Sequence, residues 1–139
     1  MAQKFLGLNA SNRIEETAVS PDYSEFPAAA AVTASPTDPK LVAMNVDGKV
    51  VVADKTSSVT ACIGYVTETV AADANIKVYA AGEVVGTGLT PNGPVYLTTA
   101  GGFSATAPTP VAGEILQEVG RALTATKWSF NPQEDIKRG

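Results

Sequence analysis

The stretch Leu41-Val42-Ala43-Met44-Asn45-Val46-Asp47-Gly48-Lys49-Val50-Val51-Val52-Ala53 decides the class of fold. Two apolar runs flank an Asp-Gly step, and Asp-Gly favours the tight turn that joins two twisted antiparallel strands. Residues 40–45 and 48–53 are therefore expected to form a hairpin around Val46-Asp47-Gly48. Similar segments follow towards the C-terminus. Residues 60–69 and 75–80 read as strands around a small loop at 71–74, and Glu83-Val84-Val85 follows Gly82. Pro91-Asn92-Gly93-Pro94 makes a turn before a strand at 95–99, Gly101-Gly102 turns the chain into 103–107, and 108–113 is a loop. A last strand covers 127–131, and Pro132 ends it. Val outnumbers Leu by 16 to 7 and Thr adds 15 more β-branched residues, a bias that pleated surfaces favour. The expected fold is all-β, a small barrel or sandwich over residues 40–132, with a short C-terminal tail at 133–139.

One segment has two readings. Ile115, Val119 and Leu123 recur every four residues, which suits one face of a helix. Gly120 in its middle costs a helix about 1 kcal/mol relative to Ala, and we read 115–123 as strand. The segment also takes part in an internal echo. Residues 41–48 lie over 95–102, each an apolar strand entering a Gly turn, and Ile63-Gly64-Tyr65-Val66 lies over Val119-Gly120-Arg121-Ala122. Chance likeness among β segments produces such echoes too. If it is a true repeat, it implies two related β units closing around one core, with each glycine marking a bulge or a close backbone approach.

Residues 1–39 differ in texture, with no sustained period of two or 3.6. A short helix at 27–32 is one possibility, since Ala28 to Ala31 is good helix material and Pro27 suits a first turn. The segment reads either as a loose terminus or as an extended arm that orders against a partner. Phe5, Leu6, Leu8, Ile14, Tyr23 and Phe26 are apolar anchors of the kind a solvated tail lacks, and they favour the arm.

Composition closes off much chemistry. The 139 residues carry a net charge of -4 and no basic stripe, so nucleic acid is not an expected partner. No apolar run is long enough to span a membrane, and polar residues interrupt the N-terminus before a signal-peptide core forms. The chain is expected to be made in a cytoplasm. With no His at all, the commonest general base and zinc ligand is missing. Cys62, the single cysteine, has no activator and is expected as a small core residue. Glu15 with Glu16, and Asp22 with Glu25, read as solvated acids rather than metal ligands. Glu114 and Glu118 are the nearest approach to a hydrolytic carboxylate pair, and no aromatic cleft accompanies them. The glycine-rich run from Gly82 to Gly88 lacks the lysine of a phosphate loop and reads as a turn. Trp128 and Phe130 alternate with Lys127 and Ser129 and are expected on a core face. A sugar-stacking role for Trp128 would want companions, for which Tyr65, Tyr79 and Tyr96 are the only candidates, and is favoured if Trp128, Tyr96 and Tyr65 line one exposed groove. No catalytic residue, cofactor or metal is expected.

Asn92-Gly93-Pro94-Val95-Tyr96-Leu97, then Gly101-Gly102-Phe103-Ser104-Ala105-Thr106-Ala107-Pro108, then Glu118-Val119-Gly120-Arg121-Ala122-Leu123-Thr124-Ala125-Thr126-Lys127 follow a recognisable order. The pattern resembles that of the decoration or capsid cement proteins and head-fibre base domains on tailed-bacteriophage heads. The lead-in Lys4-Phe5-Leu6-Gly7-Leu8 to Ile14 is similar to that of phage fibre and decoration chains. The resemblance implies a non-enzymatic β-barrel-like module, commonly a homo-trimer, on the outer capsid surface of the virion. Its partners would be the major capsid protein and, for a fibre anchor, a head-fibre protein, with residues 1–39 as the capsid-contacting arm. The long arm departs from the most compact cement proteins, so a fibre anchor stays open beside cement. A different class of function is a fibre or baseplate adhesion module binding host-surface carbohydrate.

Overall fold

The computed structural model describes residues 23–109, 111–134 and 136–137. Five strands come first: β1 (Tyr23–Pro27), β2 (Lys40–Met44), β3 (Val50–Val52), β4 (Gly64–Val66) and β5 (Asn75–Tyr79), with a 3-10 turn at Ser58–Thr60 between β3 and β4. They form one antiparallel sheet in the order β1-β5-β4-β2-β3. Then follow β6 (Gly82–Val85), β7 (Pro94–Leu97), β8 (Phe103–Ser104), β9 (Ile115–Leu116), β10 (Glu118–Ala122), β11 (Lys127–Phe130) and β12 (Ile136–Lys137). The second antiparallel sheet has the order β6-β11-β10-β7-β8, and β9 with β12 forms a two-stranded ribbon.

The two five-stranded sheets have the same connectivity. Exchanging β1, β2, β3, β4 and β5 for β6, β7, β8, β10 and β11 converts one strand order into the other. The sequence echo marks this repeat, because Leu41 and Val95 fall in equivalent strands, as do Gly64 and Gly120. Both glycines serve close approach. A Cβ on Gly64 would lie 2.5 Å from Val78 Cγ1 and 2.8 Å from the Tyr79 carbonyl oxygen. A Cβ on Gly120 would lie 2.5 Å from Trp128 Cε3 and closer still to the Ser129 carbonyl oxygen. Strand β10 also bulges between Glu118 and Gly120 against β7. The segment 115–123 is strand, as read.

The first sheet curls. Ala28 N–H donates to the Ala74 carbonyl (2.9 Å), beside β5, while Ala29 N–H donates to Val50 (2.8 Å) on the far strand β3. The alanine-rich run thus crosses from one side of the sheet to the other and closes its concave face. Ala28, Val32 and Ala34 are buried there with Val42, Val50, Val66, Ile76 and Val78. Small side chains suit so tight a space. This is why residues 27–32, considered above as a short helix, instead make bridges to Val50 and Val70. Alternate residues point to the opposite face. Leu41, Ala43 and Tyr65 pack there into a second core with Val84, Val95, Leu97, Val119, Trp128 and Phe130 of the second sheet.

Other boundaries shift as well. The expected arm over 1–39 is divided: residues 1–22 lie outside the described residues, whereas 23–39 belong to the first sheet and its core, so the β structure extends N-terminal of residue 40. The strand expected over 60–69 shrinks to Gly64–Val66, since the Thr60 hydroxyl is turned back to the Asp54 (2.8 Å) and Ser57 (3.1 Å) carbonyls. In the expected C-terminal tail, Ile136–Lys137 pairs with Ile115–Leu116.

The repeat generates a stability prediction. Gly120→Ala should destabilise by about 3 kcal/mol or more, because its new methyl meets backbone and a fixed indole. Gly48→Ala meets no atom within 4 Å and costs only its left-handed φ of +74°, about 1–2 kcal/mol. Urea unfolding of the two variants checks the ranking, and equal losses would remove the close-approach account.

Candidate interaction surface

The two sheets are joined by a side chain that behaves like a peptide unit. Gln117, 3% exposed, lies between β9 and β10. Its Oε1 accepts from Cys62 N–H (2.7 Å), and its Nε2 donates to the Cys62 carbonyl (2.9 Å) and the Gln133 carbonyl (2.9 Å). Beside it the Leu41 N–H donates to Gly101, and the Gly101 N–H donates to Ala53. Lys55 and Glu114 form an ion pair that is mostly covered.

This packing occupies the groups considered for catalysis. Glu114 is held by Lys55, and Glu118 faces Arg121 at 3.8 Å, so these carboxylates are not set up as an acid–base pair. Cys62 is buried, and its Sγ donates to the Gly64 carbonyl at 3.3 Å. Burial pushes its thiol up to about 12, more than the Gly64 and Val42 backbone contacts draw it down. Burial also raises the Asp54 carboxyl, but the N–H groups of Ala100 and Thr56, the Thr56 hydroxyl and Lys55 outweigh this and hold it below its usual range. Among the described residues no three His, Cys, Asp or Glu side chains gather as a metal site. No helix there is long and apolar enough to cross a membrane.

The aromatic residues are packed against one another. Tyr23 meets Tyr79 edge-on (5.5 Å), Tyr79 stacks on Tyr65 (5.3 Å), and Tyr65 meets the edge of Phe130 (5.1 Å). Trp128 continues the series against Phe130 and Phe103. Trp128 is 0% exposed, as a core reading requires. With Tyr65 buried too, Trp128, Tyr65 and Tyr96 do not line one exposed groove, and Trp128 has no face open to a sugar. Of the candidate arm anchors, Phe5, Leu6, Leu8 and Ile14 lie outside the described residues, as do Glu15, Glu16 and Asp22. Tyr23 and Phe26 are instead half-buried members of β1, Tyr23 beneath the Lys77 ammonium and Phe26 against the concave core.

One open region is apolar. Val46, at the tip of the β2–β3 hairpin, is 100% exposed, and Val59 in the 3-10 turn is 73% exposed. Together with Met44, Val51, Asn45 and Thr60 they line a groove of about 500 Å³. A turn tip ordinarily carries polar residues. The Asn45 carboxamide sets the turn by accepting from the Asp47 and Lys49 N–H groups, which leaves Val46 with no folding task. Exposed aliphatics clustered in this way mark interaction surfaces. The sequence signal was present in Val46 itself, an apolar residue between Asn45 and Asp47.

The buried thiol gives a two-part prediction. Iodoacetamide should leave Cys62 unmodified in the native protein at mildly alkaline pH and modify it in urea. A thiol raised on folding favours the native state below its unfolded value of 9.0. That contribution is lost as pH climbs towards 12, at up to about 1.4 kcal/mol per unit. Cys62→Ala should flatten this part of the unfolding profile, and an unchanged slope would count against it.

No protein-family model matches the chain, and no curated protein matches its sequence.

Proposed function

We propose that this chain is a structural virion protein that decorates the outer surface of a tailed-phage head, seated between major capsid protein subunits. The observation that carries the reading is the apolar groove around Val46 and Val59, on a fold whose other large apolar side chains are mostly committed to two cores. The strand-and-turn order from Asn92 to Lys127, resembling that of head decoration proteins, points to the same class. Within this proposal the groove meets the capsid and residues 1–22 act as an arm. The protein assembles as a trimer about a local axis, where closed symmetry limits growth.

The test is binding to heads assembled without the chain, followed by cryo-EM of the product. Wild-type protein should sediment with the heads and give threefold density on their outer surface. Val46→Asp combined with Val59→Lys should abolish co-sedimentation while changing stability by no more than about 0.5 kcal/mol. Deleting residues 2–22, which spares β1, should do the same to binding and leave the sheets folded. Failure of the wild-type chain to bind sinks the decoration reading. Isolated single-copy density sinks only the trimer.

A further inference from the structure

The outer face of the second sheet holds a feature that neither core explains. The bulge at Val119–Gly120 turns Glu118 and Arg121 to the same face, although they are three residues apart. Between them Gly120 contributes bare backbone, and a groove of about 440 Å³ opens there, bordered by Ser129, Asn131 and Gln133. A second hollow of about 230 Å³ shares Glu118 and Gln133 and adds Tyr96, Leu116, Glu134 and Ile136. Tyr96 lies directly opposite Glu118 in the β7–β10 register.

We propose that these two adjoining hollows bind a neutral oligosaccharide. Vicinal hydroxyls donate and accept together, and planar carboxylate, carboxamide and guanidinium groups match them. Among the described residues the Ser129 hydroxyl and the Asn131 carboxamide make no hydrogen bond. Arg121 is fixed on the rim by donating to the Asn92 carbonyl at 2.8 Å. The Tyr96 ring offers the flat apolar surface that the C–H face of a sugar covers. Glu118 and Glu134 against Arg121 leave one net negative charge, which disfavours acidic sugars. An extended peptide is the weaker fit. Both edges of β10 and β11 are already paired, so no backbone ladder is free to receive one. The proposal is independent of the capsid seat and is tested on the free protein.

The experiment is an amide-resolved NMR titration of the full chain with maltotriose, cellotriose and chitotriose, and with sialyllactose as the acidic comparison. At least one neutral trisaccharide, added to about 10 mM, should saturably shift the amides of Gly120, Arg121, Ser129 and Asn131. Asn131→Ala and Tyr96→Leu should each weaken that binding about tenfold, their folding read from the same spectra. Since Asn131 is exposed, its variant keeps the test valid if Tyr96→Leu fails to fold. Silence from all three neutral sugars overturns the proposal. So does tighter binding of sialyllactose, or a shift at these amides that follows protein concentration alone and so assigns the groove to a second copy.

Discussion

The carboxamide of Gln117 is the hinge on which the two halves close. It offers Cys62 the donor and acceptor of a neighbouring strand at a place where no strand is available. A buried peptide unit left without partners costs about 1–3 kcal/mol per group, and here one side chain satisfies both groups of Cys62 and the Gln133 carbonyl as well. The bond fixes the entry to β4 against the β9–β10 junction. Tyr65 and Trp128 thereby sit in one core, and the aromatic series runs from β1 to β8 without a break.

Around that join the halves solve the same problem differently. The first sheet is buried on both faces, since its concave side is closed by the chain passing through Ala28 and Ala34 and its convex side meets the second sheet. The second sheet has only one face in a core. Its other face carries Glu118 and Arg121 on the bulged strand β10 and Ser129 on β11, Arg121 exposed and the other two half-buried. A sheet with one wet face can carry recognition groups that a doubly covered sheet cannot. The apolar groove on the first half therefore arises where the chain leaves the sheet, at a hairpin tip.

Much of this architecture was legible. Asp47-Gly48 and Asn92-Gly93 announced turns, and the Gly64 and Gly120 steps announced the repeat. Strand β1 was not, because Tyr23-Ser24-Glu25-Phe26-Pro27 lacks alternation and is strand only through its pairing with β5. The alanines beside it carry strong helix propensity, and tertiary closure overrides that preference. Gln117 was missed although a signal existed. Ile115, Gln117 and Val119 share the buried face at a spacing of two, so an amide stands where an aliphatic belongs. The outer groove depends on which residues a bulge turns outward, and side-chain alternation read from sequence has no term for that.

A chain that repeats one strand order holds two sets of berths, and each strand has a rival for its own. What distinguishes the berths is the object lying beneath each glycine: a valine methyl under Gly64 and an indole under Gly120. A strand that docked in the wrong half would find the void or the obstacle of its counterpart. The two halves thus share a strand order but not the packing beneath their glycines, so the two sets of berths are not interchangeable in the native structure.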